Sequence, residues 1–240
     1  MTTDKKVALI TGANKGLGLE IARQLGQQGI SVVLGARQGK AEAAAAELRQ
    51  AGLDAYAVNL DVTSAADIAA LPPFLEEKFG RLDILVNNAG VQHDFDQENG
   101  EVSVDSLRQT YETNVFGPYA ITQAVLPLLK KSPAGRVVNH SSILGSISAI
   151  SSGQGGTWAT PGYTSSKAAL NMLTAVAAQQ LANTNVKVNA AHPGWVATDL
   201  GGPGAPLSPA EGARTAVRLA LLPAEGPTGG YFHQEETLPW

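Results

Sequence analysis

The stretch Val7-Ala8-Leu9-Ile10-Thr11-Gly12-Ala13-Asn14-Lys15-Gly16-Leu17-Gly18 decides how the chain is read. A short apolar run bounded by a glycine-rich turn reads as a buried strand, and residues 17–28 carry the pattern of a helix. Strand, turn and helix in that order aim free backbone N–H groups at the positive end of the helix, where a pyrophosphate is held. The spacing is G-x-x-x-G-x-G rather than the G-x-G-x-x-G of the commonest dinucleotide fingerprint. Gly12, Asn14, Lys15, Gly16, Leu17 and Gly18 are therefore the expected phosphate cradle, with a glycine-rich turn that binds nothing as the alternative.

Outward from this unit the same alternation continues. Strand patterns occupy residues 31–34, 55–58, 82–86, 136–139 and 186–190, with a short last one at 231–232. Helical patterns lie between them at 41–50, 64–79, 103–131, 162–182 and 209–222. This βαβ rhythm predicts one α/β domain over residues 1–240, a Rossmann-type doubly wound parallel sheet of about seven strands with helices on both faces. The Gly/Pro/Ser-rich stretches 145–162 and 201–209 fall after strand ends, where open parallel sheets build their ligand crevice.

Composition excludes several classes. Against 21 acidic residues there are 17 basic ones, a net charge of −4, so the chain lacks the basic stripe a nucleic-acid backbone requires. It has no cysteine, which removes disulfides, thiolate zinc sites and a cysteine nucleophile. Lys5-Lys6 precedes only four apolar residues, too few for a signal peptide, and no window of about 18 apolar residues suggests a membrane span. A cytoplasmic protein is expected. His93, His140, His192 and His233 show no ligand spacing, so no metal is expected.

The second strand ends Leu34-Gly35-Ala36-Arg37. A carboxylate there would accept from the ribose diol of NAD, whereas an arginine accommodates the 2′-phosphate of NADP. Arg37 together with Lys15 points to NADPH; a solvated surface arginine is the alternative. Tyr163 and Lys167 stand four apart at a helix start and so share a face. The other four tyrosines have Leu60, Val115, Gln123 and Glu235 in that place. A phenol of pKa about 10 is a poor acid–base group near neutrality, and a neighbouring ammonium lowers it.

Taken in order, Thr11-Gly12-x-x-x-Gly16-x-Gly18, Asn87-Asn88-Ala89-Gly90, Asn114, Ser141-Ser142, Tyr163-x-x-x-Lys167 and Pro193-Gly194 resemble the short-chain dehydrogenases/reductases along nearly the whole chain. Asn14-Lys15-Gly16, Ala36-Arg37, the run Pro193 to Asp199 and the tail ending in Trp240 resemble its NADPH-dependent carbonyl reductase branch. The resemblance implies that Tyr163 donates a proton to a carbonyl oxygen that Ser142, the second serine of the pair, orients. It implies that Lys167 lowers the Tyr163 pKa and holds the nicotinamide ribose, and that Asn114 kinks its helix and holds a water of the proton relay. It places Asp61 and Val62 beside the adenine, Asn88, Ala89 and Gly90 on the adenosine side, and Pro193, Gly194, Val196 and Thr198 at the nicotinamide end.

The interval from Ser142 to Tyr163 is longer than in typical members and carries Ile143, Leu144, Ile147, Ile150 and Trp158. Leu144 and Trp158, with Phe95, Trp195 and Leu200, are the expected substrate wall, which implies a small apolar or aromatic carbonyl compound as partner. A non-catalytic dinucleotide-binding regulator, or a lyase or epimerase on the same scaffold, are the competing functions. A monomer is expected, because the long interval covers part of the helical face and the tail after Tyr231 is charged. A homodimer through the long helices is the alternative.

Overall fold

The structure is a computed structural model that describes residues 5–37, 39–94, 102–154, 156 and 159–240. In chain order the elements are β1 (Val7–Thr11), α1 (Gly16–Gln27), β2 (Ser31–Ala36), α2 (Lys40–Gln50), β3 (Ala55–Asn59), α3 (Ala65–Phe79), β4 (Ile84–Asn87) and α4 (Val104–Tyr111). They continue with α5 (Gly117–Lys131), β5 (Arg136–His140), α6 (Ile147–Ser151), α7 (Pro161–Gln180), β6 (Lys187–Ala191), α8 (Pro209–Ala220), β7 (Tyr231–His233) and β8 (Glu236–Thr237). The strands form one sheet in the order β3-β2-β1-β4-β5-β6-β7-β8, parallel up to β7. Strand order reverses between β1 and β4, which opens a crevice at the carboxyl ends of those two strands.

Strand residues alternate between two buried layers. Ala8, Ile10, Val32, Leu34, Val86 and Val138 join α1, α2 and α8 in one core. Val7, Leu9, Val33, Leu85, Val137 and Val188 join α3, α5 and α7 in the other. Period-2 alternation with both faces apolar is what a sheet sandwiched between helix layers requires.

Three sequence expectations change. The helix expected over 103–131 is interrupted by a π-helical turn at Glu112–Phe116, with Asn114 at its centre. The stretch 145–162, expected as a loop, contains α6, which follows a 3₁₀ turn at Ile143–Gly145; Ser146 caps it by accepting from Ala149 N–H. The sequence predicts no strand beyond 231–232, yet β8 folds back antiparallel on β7 through Gln234, whose φ is 50°. That hairpin leaves a two-residue strand carrying Glu236 at the sheet edge, which blunts it against pairing with another chain. The lengthened interval leaves Met172 and Val176 of α7 exposed, along with Phe116 and Tyr119 on the adjoining helix. Among the described residues no helix is long and apolar enough to cross a membrane.

Candidate active site

The crevice over β1 and β4 is a cleft of about 680 Å³, within the usual range for small-molecule and cofactor sites. Gly12, Asn14, Lys15, Gly16, Leu17 and Gly18 line one end, with Arg37, Asp61 and Val62 beside them. Asn88, Ala89, Gly90, Tyr163, Lys167, Pro193, Thr198 and Leu200 line the rest. Gly12 and Gly16 hold φ values of 63° and 55°, which only glycine adopts cheaply. A Cβ on Gly18 would stand 2.5 Å from both Gly12 O and Asn88 Nδ2, so β1, α1 and the β4 loop meet there with no room for a side chain. A close-packed turn at a helix N-terminus, with Arg37 at the adjoining strand end, fits a phosphorylated dinucleotide. Lys15 forms an ion pair with Asp199 across the mouth of the cleft.

At the other end, Lys167 Nζ donates to His140 O at 2.8 Å and lies 5.5 Å from the centroid of the Tyr163 ring. The two adjacent serines are separated by their partners. Ser141 Oγ donates to Asn171 Oδ1 at 2.6 Å, whereas the Ser142 hydroxyl accepts from Leu144 N–H at 3.3 Å and is the neighbour that favours the charged form of the Tyr163 phenol. Burial pushes the phenol up to about 12, against the lowering expected from Lys167, and only the Ser142 hydroxyl opposes it. Burial also brings Lys167 down to about 8, which weakens the very charge that was to lower the phenol.

Asn114 is fully buried, and its amide is occupied. Its Oδ1 accepts from Val91 N–H and its Nδ2 donates to Val91 O, both at 2.9 Å. Nδ2 also donates to Ser166 Oγ, which in turn donates to Tyr163 O. Through this amide Asn114 ties the β4 loop to α7.

Several expected residues stand apart from the cleft lining. Val196 is 4% exposed, bridges to Leu207 and packs beside Gly212. Gly194 turns the chain there with φ 85°. Leu144 is half-buried in the 3₁₀ turn, while Trp195 is 49% exposed with its Nε1 donating to Gly201 O at 2.7 Å. Phe95 and Trp158 lie outside the described residues. Val91, Gln92, His93, Thr113, His140 and Asp199 line the cleft unforeseen. His140 was legible only as the residue preceding the serine pair, and nothing local marked the others.

Residues 6–205 match the family described as short chain dehydrogenase. Carbonyl reductase 1 (NADPH) of Sus scrofa is 34% identical, over 100% of this chain and 96% of that protein. (−)-Isopiperitenone reductase of Mentha piperita is 33% identical over 99% of each. The solved structure of NADPH-bound carbonyl reductase from chicken fatty liver superposes with a TM-score of 0.84 at 28% identity, covering 98% of this chain and 99% of that one. A match along most of the length, relatives a third identical from end to end and a shared backbone place the chain in the short-chain dehydrogenase/reductase family, in the branch of the carbonyl reductases.

Proposed function

We propose that the protein is an NADPH-dependent carbonyl reductase acting on small apolar or aromatic ketones or aldehydes. One observation carries this reading: Tyr163 and Lys167 both line the cleft, with the buried Lys167 Nζ 5.5 Å from the centroid of the Tyr163 ring. Bound NADPH would supply the hydride for the carbonyl carbon. Arg37 and Lys15 would hold its 2′-phosphate, and the turn from Gly12 to Gly18 its pyrophosphate.

Tyr163 Oη gives its proton to the carbonyl oxygen, and Ser142 Oγ donates a hydrogen bond that orients that oxygen. Burial favours the neutral phenol, so Tyr163 is in its donor form throughout the neutral range. Lys167 stabilises the phenolate left by the transfer. Asn114 supports the site by holding Val91 and Ser166 in place. Leu200, about half exposed on the cleft lining, gives the substrate an apolar contact. The exposed face bearing Phe116, Tyr119, Met172 and Val176 favours the homodimer over the monomer, and light scattering at micromolar concentration distinguishes the two.

The experiment is NADPH oxidation, followed by absorbance, against a panel of carbonyl compounds. Turnover is expected, with kcat of Tyr163→Phe lower by roughly two to four orders of magnitude and NADPH binding retained. A folded Tyr163→Phe enzyme turning over near the normal rate would remove Tyr163 from its role. Conversion without net cofactor consumption would indicate a lyase or epimerase instead, and binding without any turnover a regulator.

A further inference from the structure

Helix α7 carries both Tyr163 and Lys167, yet its own N-cap residue, Thr160, makes no side-chain capping bond. Thr160 is followed by Pro161, which has no N–H, and then by Gly162 and Tyr163, whose N–H groups have no acceptor within the first turn. Helices α3, α4 and α8 each satisfy the corresponding donor with the serine that begins them. In α7 the acceptor comes from elsewhere. Asp94, 68 residues earlier and at the end of the β4 loop, accepts from Gly162 N–H through Oδ1 at 2.7 Å and from Tyr163 N–H through Oδ2 at 2.8 Å.

This carboxylate is only 4% exposed. A buried charge is retained only where strong partners offset its desolvation, and two charge-assisted bonds at the positive end of a 20-residue helix provide that. The contact also dictates its neighbour: a Cβ on Gly162 would stand 2.7 Å from Asp94 Oδ1, so any larger residue would drive the carboxylate away. A second strap runs parallel to the first, from Gln92 Nε2 to Thr160 Oγ1 at 3.3 Å. Gln92 and His93 line the cleft that Tyr163 also lines. The wall of the cleft and the catalytic phenol are thus joined by one side chain.

We propose that Asp94 is a positioning residue for Tyr163. It replaces the missing helix cap and, because it belongs to the β4 loop, sets the phenol's distance from the cleft wall against which substrate is held. This rests on the function proposed above. The sensitivity is that of catalysis to orientation, where an error of about 1 Å costs on the order of a hundredfold.

The test compares wild type with Asp94→Ala, Asp94→Asn and the double variant Asp94→Ala/Thr160→Asp. Three readouts are used: kcat and KM, NADPH binding, and amide exchange at Gly162 and Tyr163. Asp94→Ala and Asp94→Asn are expected to lose ~10–100-fold in kcat, to bind NADPH unchanged, and to exchange both amides faster. In the double variant, the aspartate introduced in place of Thr160 caps the helix locally and restores exchange protection without restoring the tie to the loop, so kcat should stay low. Full recovery of kcat in the double variant would reduce Asp94 to a helix cap and overturn the proposal, as would unchanged kcat in both single variants. If wild type reduces no carbonyl on the panel, the functional reading fails by itself. The exchange arm still decides the tether, and unchanged protection in Asp94→Ala would refute it.

Discussion

Protonating His140 should destabilise the protein, and by an amount the structure lets one work out. Asn88 Nδ2 donates to Thr11 O at 2.9 Å, which turns its Oδ1 toward His140 Nδ1 at 3.0 Å. Nδ1 therefore carries the proton of the neutral ring, and Nε2 is buried with no partner among the described residues. A second proton would place an N–H at Nε2 facing no acceptor, in a ring 5% exposed and beside the charges of Lys167 and His192. Burial, with those charges adding to it, holds the folded-state pKa at about 3, against an ordinary 6.5. The unfolded chain thus takes up the proton first, so this stability is present above pH 6.5 and is lost as pH falls toward 3. At pH 5.0 the loss is about 1.5 × 1.36, or about 2 kcal/mol, which for a chain of this size lowers Tm by roughly 4–8 °C. Thermal unfolding at pH 7.5 and 5.0 measures it. In His140→Val the drop between the two pH values should shrink by about that amount, whatever the substitution costs at either pH, because the other titrating groups are common to both proteins. Equal drops in wild type and variant would refute the argument.

Further outcomes follow from the same geometry. With Lys167 brought down to about 8 and the Tyr163 phenol up to about 12, kcat for reduction should hold below pH 8 and fall above it as Lys167 loses its ammonium; a profile flat to pH 10 would contradict this. Arg37→Asp should weaken the preference for NADPH over NADH by about tenfold or more, from the loss of a charge-assisted phosphate bond. Lys15→Ala should cost less than Arg37→Asp, since Lys15 must first leave Asp199, and kcat/KM with each cofactor reads both. Gly18→Ala forces a methyl against Gly12 O and Asn88 Nδ2, so NADPH binding should weaken and Tm fall together, with overpacking of roughly 1–3 kcal/mol. A Gly18→Ala protein that binds NADPH normally in a fluorescence titration would show that the turn can yield.

Most of the fold and the pairing of Tyr163 with Lys167 were legible in the chain because they are written in local spacings. The short apolar runs at 7–10 and 31–34, the helical spacing between them, and the glycines of 12–18 each depend on residues a few places apart, as does the four-residue step from Tyr163 to Lys167. What only the tertiary structure decided depends on which distant segments meet. Asn114 could be placed in its helix, but that its amide is taken by Val91 and Ser166, 23 and 52 residues away, is a consequence of how the β4 loop packs on α7. The direction of the Tyr163 shift was misjudged from sequence because the nearby lysine is visible there and the burial is not; desolvation is the sum of everything packed around the ring. Asp94 carried no local signal at all. A lone aspartate after a strand reads as a surface charge, and it becomes the cap of a helix 68 residues later only when strand order brings the two loops to the same end of the sheet.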